Sequence, residues 1–239
     1  MSRGRLFVGT SGFAYKEWKP EFYPADLKAA AMLGYYAERL PSVEINNTFY
    51  RAPTPKLLTS WLAETPAHFV FTLKASQKIT HIARLKNAGD NVAYFLETAR
   101  ALGERLGVIL FQCPPNLRFR SELLDGFLAT LPTRGFRFAM EFRHESWRDE
   151  SARLALAAAN VAWCIADGEV GEETPRIRTS EDFVYLRLRR ADYGDAEIQA
   201  WAAEVRAVLG EGADAYVYFK HEDDPSGIRY ALRLRELCG

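Results

Sequence analysis

The chain is short of several things, and each shortage removes a class of protein. Three cysteines in 239 residues (Cys113, Cys164 and Cys238) are too few and too scattered for a zinc ribbon or a disulfide framework, which fits a reducing compartment. Long apolar runs are missing, and nothing approaches the ~18–20 residues of a membrane span. The apolar stretch Leu6–Gly9 behind Arg3 and Arg5 is too short for a signal peptide. A cytoplasmic protein that does not engage a membrane is therefore expected. The first predicted strand ends in Gly9-Thr10-Ser11-Gly12, which lacks the Gly-x-Gly-x-x-Gly dinucleotide fingerprint, and no Walker-type phosphate loop occurs anywhere. Low-complexity segments, linkers and short internal repeats are also missing. At 48% hydrophobic and 26% charged the composition excludes disorder, collagen and coiled coil.

Charge of either sign is balanced overall, with 31 basic and 31 acidic residues, but unevenly placed: residues 1–120 carry +7 and residues 121–239 carry −7. Between Lys74 and Lys86 stand four basic residues and a histidine with no acid. Such asymmetry marks either an anionic partner or a solvated face.

What the chain does have is alternation. Short apolar or β-branched runs at Leu6–Thr10, Ser42–Asn46, Phe69–Lys74, Gly107–Gln112, Phe136–Phe142, Val161–Ala166, Phe183–Leu188 and Ala215–Phe219 predict eight strands. Helical periodicity fills most of the gaps, at Asp26–Leu40, Lys56–Glu64, Val92–Leu106, Ser121–Leu131, Glu150–Ala159, Glu197–Leu209 and Ser226–Leu237. Strand alternating with helix implies parallel pairing. Eight units of about thirty residues predict an α/β fold, a single (β/α)8 TIM-type barrel over residues 1–239. A doubly wound open sheet is the main rival.

Side chains alternate across a strand, so residues two apart share a face. On that rule Glu44 goes with Asn46, Thr72 with Lys74, Glu141 with Arg143, Tyr185 with Arg187 and Arg189, and Tyr218 with Lys220. Gln112 ends the fourth strand and Asp167 follows the sixth. The charged group comes at or near the C-terminal end of nearly every strand, and in a barrel those ends converge on one mouth. Glu44, Glu141, His144 and Asp167 are thereby candidate catalytic groups. Lys74, Gln112, Arg143, Arg187, Lys220, Tyr15, Asn46 and Trp147 are candidate substrate contacts. The competing explanation is a layer of buried salt bridges plugging the barrel.

His144, His221 and His81 follow strand ends, where an acid, base or metal ligand belongs. A divalent metal on His144, His221, Glu141, Glu44 and Asp167 is weakly supported without a helical His-Glu-x-x-His, and no cofactor is expected. Tyr15, Trp18, Phe49, Tyr50 and Trp147 either stack on bases or sugars or pack loops over the rim. The loop Lys220–Gly227 opens the last helix where such barrels often bind phosphate, although Asp223 and Asp224 would repel one.

Several motifs occur together along the chain. They are Gly9-Thr10-Ser11-Gly12-Phe13-x-Tyr15 with Phe22-Tyr23-Pro24, Val43-Glu44-Ile45-Asn46-Asn47-Thr48-Phe49-Tyr50-Arg51, Phe71-x-x-Lys74-Ala75 with Ile79-Thr80-His81, Leu110-Phe111-Gln112-x-Pro114-Pro115, Glu141-Phe142-Arg143-His144-x-Ser146-Trp147, and Ala166-Asp167. With them the sequence resembles the family called domain of unknown function 72 (YecE-like), essentially end to end. The resemblance implies a TIM-type barrel and says little about activity. A likeness of such proteins to endonuclease-IV-type barrels would imply DNA as ligand, but the dense metal-binding set of that class is not evident. Two loops depart from the family pattern: Arg187-Leu188-Arg189-Arg190 stands where Arg-Leu-His-Gly is usual, and Phe219-Lys220-His221 where Phe-Asn-Asn is common. Both changes add positive charge to the mouth.

Three functions compete on these grounds. An enzyme, a hydrolase or lyase, could bind a small anionic, phosphate-bearing ligand or nucleic acid through Lys74, Arg143, Arg187 and Lys220, with Glu141 or Glu44, helped by His144, moving a proton. A glycoside-hydrolase-like enzyme would use Glu44 and Glu141 as its two carboxylates. A non-catalytic nucleic-acid-binding barrel would use the basic stretch Lys74–Lys86 and exposed aromatics. Fold alone does not choose among them.

Overall fold

The structure, a computed structural model, describes residues 3–168 and 174–239. Its strands are β1 (Leu6–Thr10), β2 (Ser42–Ile45), β3 (Val70–Lys74), β4 (Leu106–Gln112), β5 (Arg137–Glu141), β6 (Ala162–Asp167), β7 (Phe183–Leu188) and β8 (Asp214–Phe219). They pair in parallel from β2 through β8 and on to β1. Around them lie the helices α1 (Met32–Ala37), α2 (Pro55–Glu64), α3 (Gly89–Ala99), α4 (Ser121–Leu128), α5 (Glu150–Ala158), α6 (Asp195–Gly210) and α7 (Ser226–Cys238). This is the expected (β/α)8 TIM-type barrel.

The ring closes between β1 and β2 through polar contacts. Ser11 bridges to Glu44, and the Gly12 amide donates to the Glu44 carbonyl at 2.8 Å. The Tyr36 hydroxyl fills the remaining gap, accepting from the Thr10 amide at 2.8 Å and donating to the Ser42 carbonyl at 3.0 Å. Gly9 is required here, since a Cβ on it would sit 1.9 Å from the Ser42 carbonyl oxygen. Gly12, at φ +96°, occupies the left-handed region that glycine adopts without cost.

Two helices are shorter than their periodicity predicts. The Asp26–Leu40 stretch is α-helical only over Met32–Ala37, because the Lys19 ammonium takes the carbonyls of Ala25 (3.2 Å) and Leu27 (2.5 Å) and Lys28 stays extended. The Val92–Leu106 stretch is α-helical only to Ala99, and Gly103 at φ 55° interrupts the short 3-10 segment between Arg100 and Arg105. Described residues 174–182, ahead of β7, carry no helix.

Because both faces of every strand are covered, two apolar layers form. One lies between barrel and helices; the other fills the barrel with Phe7, Val70, Val108, Leu110, Ala139, Cys164, Tyr185, Tyr216 and Tyr218. The second layer fixes which residues point inward, and therefore which reach the mouth.

Candidate functional site

Along the inner face of the barrel, from the middle to the C-terminal end, polarity rises in layers. At the middle, the Ser42 hydroxyl donates to the Val70 carbonyl at 2.8 Å. Its contact with the Tyr218 hydroxyl (2.7 Å) must then use the tyrosine proton, leaving Thr72 to donate to Tyr218 at 2.8 Å. No buried hydroxyl is left unmatched in this layer, which is what low dielectric demands.

Above it stand Glu44 of β2, Glu141 of β5 and Arg187 of β7, all buried. Arg187 lies between the carboxylates: Nε and Nη2 donate to Glu44 Oε1 at 3.2 and 2.8 Å, and Nη1 donates to Glu141 Oε2 at 2.5 Å. Ser11 donates to Glu44 Oε1 at 2.5 Å, and the Tyr185 hydroxyl donates to Oε2. Glu141 Oε1 takes Arg143 Nε at 3.1 Å and faces Arg189 Nη2 at 3.6 Å. All four carboxylate oxygens are engaged. Burial alone would push the Glu141 carboxyl up, but the guanidiniums of Arg187, Arg189 and Arg143 overcome it and hold the group at about 2. A carboxylate fixed as an anion and spent on arginines cannot serve as a general acid. With both carboxylates locked on Arg187, the two-carboxylate glycosidase reading is disfavoured, since its general acid would have to come from this pair.

Lys74, at the end of β3, differs from these groups. Its ammonium lies 4.3 Å from the centre of the Phe49 ring and has no hydrogen-bond or ion-pair partner among the described residues. Burial, and then the Arg187 charge, bring its pKa from 10.5 down to about 8, against the pull of Glu44 and Glu141. His81 joins the same corner, edge-on to Phe49 at 4.8 Å, and burial together with Lys74, Arg143 and Arg84 lowers its pKa as well. The loop after it is strained: Arg84, Leu85 and Asn87 have φ of 53°, 66° and 49°, a conformation that non-glycine residues hold only where the surroundings enforce it.

The remaining candidates divide. Gln112 continues the inward parity of Val108 and Leu110 and pairs in register with Glu141. Tyr15 and Asn46 line a cavity of 650 Å³ against Gly12 and Arg51. There the Asn46 Oδ1 is buried without a partner among the described residues, while the Tyr15 hydroxyl donates to the Ser11 carbonyl at 2.9 Å. Lys220 sits on the exposed rim, 3.5 Å from Glu222.

Three residues have structural partners of their own. Asp167 shares the parity of Trp163 and Ile165, which pack in the outer layer, and it lines a cavity beside Arg190, Glu197 and Trp201 behind the barrel wall. His144 is an end cap: its Nδ1 accepts from the Ser146 amide at 3.1 Å and contacts the Ser146 hydroxyl at 2.8 Å. Trp147 is buried, stacked on Phe142 at 4.0 Å, and its Nε1 donates to the Leu117 carbonyl at 2.7 Å. Both His144 and Trp147 do line a cavity of 560 Å³ with Arg143, Arg189 and Trp163. The buried Trp163 Nε1 has no acceptor among the described residues. Sequence reasoning passed over Ser11, Ser42 and Trp163, although Ser11 and Ser42 lie two residues from Gly9 and Glu44 on the same inward parity. As for a metal, no three His, Cys, Asp or Glu side chains gather as ligands among the described residues, and His221 Nε2 is taken up with the Ala191 carbonyl at 3.2 Å. No helix among the described residues is long and apolar enough to cross a membrane.

Fold and site together define a TIM-type barrel whose charged side chains converge at the C-terminal ends of its strands. The family profile described as "Protein of unknown function DUF72" matches residues 7–239, and the chain belongs to that family. A crystal structure of a DUF72 family protein from Thermotoga maritima superposes with a TM-score of 0.86 at 26% identity, covering 98% of each chain. One from Enterococcus faecalis superposes at 0.79 and 18% identity, over 99% of this chain and 98% of that one. The UPF0759 protein YunF of Bacillus subtilis is 25% identical over 149 residues, 59% of this chain and 52% of the relative, so the match spans about half that protein's length. A xylose isomerase-like TIM barrel/4-hydroxyphenylpyruvate dioxygenase fusion protein aligns at a TM-score of 0.51 and 14% identity over 43% of its length, a likeness of fold alone.

Proposed function

We propose that the mouth binds a small anionic, phosphate-bearing compound and that the protein is an enzyme acting on it, a hydrolase or lyase. The observation that carries this reading is the unpartnered Lys74 ammonium beside a Glu44–Arg187–Glu141 network that already satisfies itself. A half-buried cation without a counter-ion costs stability, and perturbed groups of this kind gather at functional sites. Arg143 supports the reading. It is held at one nitrogen by Glu141 while its side chain stays about one-third exposed (32%). Arg187 positions rather than binds, since both of its ends are spent on carboxylates.

A thermal-shift titration tests this with inorganic phosphate, pyrophosphate, sugar phosphates and short single-stranded DNA. A ligand at 100 times its Kd should stabilise the fold by about 2.7 kcal/mol. Lys74→Ala and Arg143→Ala should each remove the shift while leaving the unliganded protein folded. Unchanged affinity in folded Lys74→Ala protein would overturn the assignment. A shift from DNA alone, steeply weakened by salt, would instead favour the nucleic-acid-binding barrel.

A further inference from the structure

Anion binding leaves one choice in the mouth unexplained. Arginine is the better receptor for phosphate or carboxylate, because it is planar, forked and always charged. The mouth already uses it three times, at Arg143, Arg187 and Arg189. Lys74 stands among these guanidiniums, where a lysine offers only what arginine cannot: it can lose a proton near neutral pH and become a nucleophile. We propose that the Lys74 amine forms an imine with the carbonyl carbon of an anionic aldehyde or ketone held at the mouth. This rests on the mouth being the binding site and narrows its substrate class to carbonyl compounds that carry phosphate or carboxylate.

The placement fits that chemistry. The Thr48 hydroxyl donates to the Lys74 carbonyl at 2.6 Å, which ties the turn after β2 to the end of β3 and brings the Phe49 ring under the amine. Phe49 is buried, so one side of Nζ is dry, and among the described residues no donor occupies the nitrogen's lone pair. The charged and titratable groups around it are Glu44 on β2, Glu141 and Arg143 on β5, Arg187 on β7 and His81 on the loop after β3. The cations among them favour loss of the amine proton, and burial acts in the same direction. The neutral amine attacks the carbonyl carbon, a C–N bond forms, and a proton passes from nitrogen to the oxygen. The resulting hydroxyl takes a second proton from solvent and leaves as water, and the nitrogen lone pair closes the C=N⁺ bond. One carbonyl, one amine and one proton thus yield one iminium and one water. The iminium cation can then draw electrons from a neighbouring C–C or C–H bond, as lyases require, and hydrolysis returns the amine.

Pyridoxal 5′-phosphate, an aldehyde that carries a phosphate, is a direct probe. The native protein is incubated with it at pH 8, reduced with borohydride, and mapped by peptide mass spectrometry across its eight lysines. At that pH about half of the Lys74 amines are neutral, against under about 1% of ordinary lysines. Labelling is therefore expected at Lys74 at least about tenfold faster than at any other lysine. Its rate should rise with a midpoint near pH 8, and inorganic phosphate should suppress it. Lys74→Arg, which keeps the charge, should still bind phosphate in the thermal-shift assay and lose the adduct. Labelling spread over exposed lysines, with Lys74 spared while phosphate still binds, would overturn the imine and leave anion binding standing. Absence of both phosphate binding and the adduct would overturn the two together.

Discussion

The two ends of this barrel solve the same problem differently. At the N-terminal end, Arg137 of β5 points inward and meets Asp214 of β8 at 2.6 Å and the Tyr216 hydroxyl at 2.9 Å. Phe7 stacks on Tyr216 at 4.6 Å and Phe183 meets it edge-on at 5.7 Å. An inward cation is matched by a carboxylate, and aromatic rings cover the rest. At the C-terminal end, two carboxylates face three guanidiniums and an ammonium, and among the described residues the ammonium has only a ring for company. A plug needs charges that cancel, whereas the proposed binding site keeps an ammonium without a counter-ion of its own. The proposed division, stability at the first end and function at the second, is the usual one in this architecture.

The sharpest way to break that comparison is to remove one arginine from each end. Arg187→Met takes the shared guanidinium from two buried carboxylates and leaves Glu44 without a cation, and should cost about 3–5 kcal/mol in urea denaturation at pH 7, enough to prevent folding in a marginal background. Arg137→Met, at a site where the side chain is 33% exposed, should cost only about 1–2 kcal/mol. Equal losses would mean that the upper network is no more than a second plug.

Acid comes next in size. Glu141 titrates at about 2 in the folded protein against 4.5 ordinarily. The unfolded chain therefore binds the proton more readily, and this part of the stability is fully present above about pH 4.5. It is lost as pH falls toward 2, and amounts to about 3 kcal/mol. Denaturation midpoints in Glu141→Gln should be lower at neutral pH and flatter over that window.

Lys74 reverses the sign. Its pKa falls from 10.5 to about 8 on folding, so the protonated amine is a burden that lifts as pH rises between those values. Lys74→Met should raise stability at pH 7 by roughly 1–2 kcal/mol, with the gain shrinking toward pH 10. A variant that loses stability instead would show that Lys74 pairs with something in the fold.

The smallest effect belongs to the middle layer. Tyr218→Phe removes one donor and one acceptor while keeping the ring, and should cost about 1 kcal/mol by thermal melting without touching anion binding.

Much of this was legible in order along the chain, and the failures have local causes. Parity placed Glu44, Lys74, Glu141, Arg143 and Arg187 at one mouth, because a strand buried on both faces leaves a charge few directions to point. Asp167 escaped that test because it comes one residue after the inward Ala166, and a step of one turns a side chain to the other face. His144 and Trp147 lie in a turn after β5, where no periodicity applies and local hydrogen bonds decide orientation. The partner that locks Glu44 and Glu141 arrives 143 and 46 residues later in the chain, beyond the reach of any local pattern.

By itself the sequence determined the alternation of strand and helix, the barrel it builds, and the end at which charge collects, since these come from hydrophobic period and side-chain parity, which are local properties. Tertiary structure alone decided which charges cancel. Arg187 reaches both glutamates only when β2, β5 and β7 surround one interior, and Lys74 is left unpaired only because they have spent their oxygens elsewhere.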